Sequence, residues 1–160
     1  MNKLTLSQWA NIAEITASVI LILGLVYVGL GLDRNTKAVH SETWQAVVDK
    51  LIDLDVAEAS SPELSGIVMR GESSPADLTP EEWWRFAKFA ESRLGQMEFA
   101  YLARTNDTLG ESYWVALEGY LAHMVCKPGY QRFWAEAGNA SYHVDFATYV
   151  NDESENCDEK

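Results

Sequence analysis

From Ile15 to Leu32 the chain reads ITASVILILGLVYVGLGL, 18 residues without a charged side chain. An apolar run of this length dictates its surroundings, because in water nothing in a small domain would cover it. Counted from Ile12 the run is 21 residues, roughly 31 Å of helix at about 1.5 Å per residue, and a hydrocarbon core is about 30 Å thick. Eleven of the 18 are Leu, Ile or Val, which together favour insertion by about 3 to 7 kcal/mol. Thr5 and Gln8 have capping-box spacing and Leu4 can staple against Trp9, so the helix is expected to begin near Leu6. Trp9 and Tyr27 then fall toward the two interfaces.

A cleaved signal peptide would have a shorter apolar region and a better small-x-small site than Gly29-Leu30-Gly31, and a buried core helix would seldom be this apolar. The reading adopted is an uncleaved single span over about 12–32 within an N-terminal segment 1–37. Arg34 and Lys37 follow the span and Lys3 precedes it. The positive-inside rule thus places the C-terminal domain in the cytoplasm by one residue, and there Cys126 and Cys157 would be free thiols.

Ala10, Ala17, Gly24 and Gly31 recur every seven residues, with Ala13, Ile20 and Tyr27 three residues after the first three. A heptad stripe of small side chains lets a second helix approach closely, so homo-oligomerisation through this face is expected. Glu14 lies beside the stripe, and with Ser18 it is the candidate polar ring of an oligomeric pore. The alternative for Glu14 is a carboxylate reaching the headgroups from the first turns of the helix.

Beyond Asp33 the pattern is helical throughout. Trp44, Val47, Val48, Leu51 and Leu54 repeat at helical spacing, and the membrane helix either continues into the domain or breaks near Asp33–Thr36. Ser61-Pro62 starts a short helix to about Arg70. Leu78-Thr79-Pro80-Glu81-Glu82-Trp83 encodes a full capping box with a staple, and the helix it opens carries Trp83, Phe86, Ala87, Ala90, Leu94, Met97 and Tyr101 on one stripe. Thr108 and Glu111 repeat the box spacing ahead of a helix to about Cys126. Pro128 opens a short helix ending at Gly138-Asn139, and a last piece holds Phe146, Tyr149 and Val150. No segment alternates at period two, so the fold class is all-α: an N-terminal transmembrane helix, then a small antiparallel bundle over 38–150. The final NDESENCDEK holds five acids against one Lys and is expected to be a disordered acidic tail, 151–160.

The stretch LVYVGLGLDRNTKAVH with Trp44 resembles the start of a family of small uncharacterised bacterial membrane proteins, in which an apolar span ends in Leu-Val-Tyr-Val-Gly before Arg-Asn-Thr and a small residue, here Arg34, Asn35, Thr36 and Ala38. Fainter likeness runs through Pro62-Glu63-Leu64, Leu78-Thr79-Pro80-Glu81-Glu82 and Phe133-Trp134. Gly31 departs from the pattern, standing where members often carry Gln. The resemblance implies one span in the bacterial inner membrane and a helical domain, and it brings no activity with it. Asn35 and Thr36 have a use in any case, since their side chains satisfy backbone groups where a helix kinks or frays on leaving lipid.

Chemistry is sparse. Twenty-four Asp plus Glu against 12 Lys plus Arg give a formal charge of −12, which disfavours nucleic acid as a partner. His40, His123 and His143 stand in no metal-ligand spacing, so no metal or cofactor is expected. His123 lies one turn before Cys126, close enough for thiolate activation, although a buried, inert Cys is the plainer reading. Glu91 and Glu98 either line a polar groove near Arg104 or pair at the surface with Lys88 and Arg93. Six Trp and seven Tyr exceed what one modest core requires, and adjacent Trp83 and Trp84 point about 100° apart, so one of them is expected at an interface. The expectation is a non-enzymatic, self-associating interaction protein whose partners are its own copies, the lipid bilayer and a membrane-protein partner. The alternative is the pore with Glu14 near its mouth.

Overall fold

The computed structural model describes residues 5–157, and the chain divides into two compact units, Met1–Val39 and His40–Lys160. The first helix, α1, runs Leu6–Ala59 without interruption. It begins where the capping pattern places it, with the Thr5 amide donating to Gln8 Oε1 at 2.9 Å; the Leu4 half of the expected staple lies outside the described residues. The break allowed for near Asp33–Thr36 does not occur. No Pro or Gly stands between Asp33 and Ser60, and Lys37 Nζ reaches back one turn to Asp33 at 2.7 Å, so nothing local opposes the helix. Its apolar window is 0% buried, and this is the one described helix long and apolar enough to cross a membrane.

The second unit holds the rest of α1 and five further helices: α2 (Pro62–Ser73), α3 (Pro80–Thr105), α4 (Glu111–Val125), α5 (Pro128–Phe133) and α6 (Val144–Glu155). A 3-10 turn over Pro75–Asp77 joins α2 to α3, and α5 passes into a π-helical stretch, Trp134–Gly138, and a single turn, Asn139–Ser141. Helix therefore continues through Gly138-Asn139, where a stop was expected. Ser61 caps α2 by accepting from the Leu64 amide at 3.2 Å. At α3 both arms of the capping box form: Thr79 Oγ1 accepts from the Glu82 amide at 3.3 Å, and Glu82 Oε2 accepts from the Thr79 amide at 2.9 Å.

The expected box at Thr108 is not made. Asp107 turns the chain through a left-handed conformation, φ 55°, and its carbonyl is held 3.0 Å from His40 Nε2. Thr108 is thereby swung onto the end of α3, donating to the Ala103 carbonyl, and α4 starts only after Gly110. Glu111, the other half of that box, instead takes both arms of Arg104 at 2.8 and 3.0 Å.

Phe86, Ala90, Leu94 and Met97 of α3 are fully buried, as the stripe predicts, together with Val47 of α1, Ile67 of α2, Trp114 and Leu121 of α4, Tyr130 of α5 and Phe146 and Val150 of α6. Close packing at one crossing requires glycine. A Cβ on Gly129 would lie 2.0 Å from the Gly71 carbonyl oxygen, and one on Gly71 would lie 2.2 Å from Phe86; α2 and α5 meet over the Phe86 ring because both residues lack a side chain.

The segment expected to be a mobile acidic tail is helical through Glu155, and Cys157 is joined to Cys126 by a disulfide; 158–160 lie outside the described residues. Composition alone misplaces this segment because its docking depends on Phe146, Ala147 and Val150 upstream, all buried, and on a covalent bond that composition does not reveal.

Candidate functional site

Three features could carry function. The first is the small-residue stripe. Ala10, Ala17, Gly24 and Gly31 are all exposed, and a Cβ added to Gly24 or Gly31 would meet nothing within 4 Å. Ile15, Ile20, Leu23 and Tyr27 are exposed with them. Of the two polar-ring candidates, Ser18 is committed to its own helix, its hydroxyl donating to the Glu14 backbone carbonyl at 2.9 Å, as Thr16 does to Ile12 at 2.8 Å. The Glu14 carboxylate is exposed.

The second feature is the Trp83-Trp84 pair, which splits as helix geometry requires. Trp83 turns inward: it stacks on Phe86 with centroids 5.5 Å apart, lies under the Arg132 guanidinium at 3.8 Å and donates through Nε1 to Glu136 at 2.9 Å. Arg132 closes the group, bonding Glu136 at 2.8 Å and the Pro75 carbonyl at 3.0 Å. The Arg132 bond, helped by that of Trp83, outweighs the opposing effect of burial and holds the Glu136 carboxyl below its usual pKa. Trp84 is 62% exposed and borders a shallow hollow of about 290 Å³ with Ala87, Lys88, Glu91, Phe133 and Tyr142.

The aromatic surplus is smaller than composition suggests, because the core absorbs most of it. Tyr101, Trp114, Phe146 and Tyr149 make ring contacts with centroids 5.3 to 5.9 Å apart, Trp44 stacks on Tyr113 at 5.1 Å, and Trp134 contacts Tyr142 at 5.2 Å. Trp9, Tyr27, Trp84, Phe99 and Tyr120 remain as large exposed aromatics among the described residues.

The third feature was not legible beforehand. The Cys126–Cys157 disulfide, with Cα atoms 5.4 Å apart, joins the end of α4 to the second residue beyond α6. Neither cysteine is a free thiol, which corrects the free-thiol expectation, and Cys126 is half-buried, neither sealed in the core nor paired with His123 as a nucleophile. Both cysteines border an open cavity of about 700 Å³ with Val115, Glu118, Gly119, Ala122, His123 and Glu153. Glu118 Oε1 accepts from Tyr149 Oη at 3.2 Å and Trp114 Nε1 at 3.3 Å, pinning α6 to α4. Burial, then the nearby Glu153 and Glu118 carboxylates, push the Tyr149 phenol up in pKa, so it stays a neutral donor.

The remaining polar candidates are structural. Glu91 pairs with Lys88 at 2.6 Å, while Glu98 accepts from the His143 amide at 2.5 Å near the start of α6, so the two acids line no common groove. Arg93, read as a surface partner for them, is 6% exposed. It bonds Asp55 of α1 and Tyr120 of α4, the latter at 2.8 Å, with Glu58 at 3.6 Å and the Phe89 ring at 5.0 Å. Burial opposes its charge, but the Tyr120 oxygen and the Asp55 carboxylate outweigh burial and raise the guanidinium pKa. Among the described residues no group of three or more His, Cys, Asp or Glu could hold a metal ion. The chain matches no protein-family model, no curated protein and no solved structure.

Proposed function

We propose that this chain is a single-pass membrane protein of the bacterial inner membrane that self-associates through the Ala10, Ala17, Gly24 and Gly31 face and serves as a structural or interaction protein there. One observation carries the reading: the apolar window of α1 is wholly unburied. In water that surface would be a large uncompensated apolar area, whereas lipid and a second helix cover it without further folding. Within it, the four small residues supply the contour that a packed helix pair needs. The unit after the span adds exposed Trp84 and Phe99, apolar side chains suited to a protein partner in the same membrane.

Alkaline carbonate washing and size analysis in mild detergent test this. The full-length chain is expected to stay with the membrane fraction and to run as an assembly, with Gly24→Leu plus Gly31→Leu weakening association at least tenfold. A chain released by carbonate defeats the anchor; a monomer at all workable concentrations defeats self-association.

A further inference from the structure

The chain has two cysteines, and they are bonded to each other. Disulfides of this kind form and persist outside the cytoplasm, where thiols are not held reduced. The charge argument for a cytoplasmic domain rests on Arg34 and Lys37 against Lys3, a bias of one residue. The bond is the stronger of the two signals.

Its position also has a physical purpose. The last buried apolar residue of the chain is Val150, and from Asn151 to Asn156 the sequence NDESEN offers nothing apolar to bury. A helix of 12 residues is marginal in isolation, and this one gathers Asp152, Glu153 and Glu155, part of the chain's net charge of −12, on its last turns. Helical structure nevertheless runs to Glu155, and the next turn is bonded to the end of α4 at Cys126. The covalent link replaces the missing hydrophobic anchor.

From this we infer that the helical domain matures on the oxidising side of the membrane, with Cys126 and Cys157 a dithiol site for a disulfide donor, either a protein or a small-molecule disulfide. The inference rests on the membrane-anchor reading above. In the first step one cysteine thiolate attacks a donor sulfur, forming a mixed disulfide and expelling the other donor sulfur as a thiolate. The second cysteine, deprotonated, then attacks its neighbour's sulfur and releases the rest of the donor. The chain loses two electrons and two protons, and the donor leaves as two thiols. Both cysteines border the open 700 Å³ cavity, so a donor reaches them after α6 has docked through Phe146, Val150 and the Tyr149 bond to Glu118.

The test uses the full-length chain in spheroplasts, with a charged, membrane-impermeant maleimide as probe. Expected are no labels before reduction, two per chain after an impermeant phosphine, and one in Cys157→Ser without any reductant. As a readout of sidedness that does not depend on the bond, exposed Ser112 replaced by cysteine in a Cys126→Ser, Cys157→Ser background should label in intact spheroplasts. Labelling that requires permeabilisation overturns the sidedness, and two labels in wild type before reduction overturn the bond. Carbonate extraction of the same samples separates these failures from that of the anchor, since a carbonate-soluble chain fails the earlier reading first and this topology with it.

Discussion

At Gly129 the tolerance of the fold is set by a single hydrogen atom. The position a Cβ would occupy is 2.0 Å from the Gly71 oxygen and 2.7 Å from Phe86 Cζ, and neither a backbone carbonyl nor a fully buried ring can swing aside as a flexible side chain would. Gly129→Ala is therefore expected to destabilise the domain by about 3 kcal/mol, at the upper end of ordinary overpacking. Chemical denaturation would read this as a lower midpoint with an unchanged slope. Gly119 is the internal control, because a Cβ there meets nothing within 4 Å, and alanine there should be neutral or stabilising. The sequence separates none of these glycines from one another: each stands in helical context, and only the approach of α5 to α2 distinguishes Gly129. Arg93 was illegible for the same reason. A guanidinium reads as a surface group even though its one-turn neighbours Phe89, Ala90 and Met97 are apolar and buried, and it is held inside because α1 and α4 each bring it a partner, Asp55 and Tyr120.

Local signals specified the helices well where their partners lie within one turn. The Thr79 box is the clearest case, and it has a pH signature. Hydrogen bonds from the Thr79 backbone and hydroxyl, then Arg70, hold the Glu82 carboxyl below its ordinary pKa. A carboxyl lowered in the folded state stabilises above its unfolded pKa, and that contribution is lost as pH falls through the folded value. The stability gap between wild type and Glu82→Gln should accordingly be widest near neutral pH and close below about pH 4. Thr79→Ala, which removes the acceptor for the Glu82 amide, should cost about 1 kcal/mol at neutral pH. Thermal melts of the three proteins across pH 3 to 7 check both; a gap that widens in acid would refute the assignment. At Thr108 the same spacing failed, since a box also needs an extended backbone at its first residue, and Asp107 in the left-handed region delivers Thr108 to α3 instead. Spacing encodes a cap only where the preceding turn allows it.

On the scale of the molecule, the division at Val39 separates two kinds of stability. The apolar window of the first unit is 0% buried, so under the anchor proposed above its stability comes from lipid rather than from a core of its own. The domain depends on closing a long chain on itself, and here the acidic C-terminus is the weak point. Carboxylates gathered at Asp152, Glu153 and Glu155 repel one another, and α6 is held by Phe146, Val150, the Tyr149 bond to Glu118 and the link at Cys157. Because 31 residues separate the bonded cysteines, opening the loop restores chain entropy worth about 3 to 4 kcal/mol to the unfolded state. Reduction should then lower the Tm of the domain by roughly 10 to 20 °C, and Cys126→Ser should do the same without reductant. Hydrogen exchange adds a spatial criterion: in the reduced protein the amides from Asn151 to Glu155 should lose protection first, while those of α3 around Leu94 and Met97, wholly inside the core, should open only with the domain. Uniform loss of protection would mean that the bond supports the whole bundle rather than its acidic end, and an unchanged Tm would mean that the apolar contacts of α6 suffice alone.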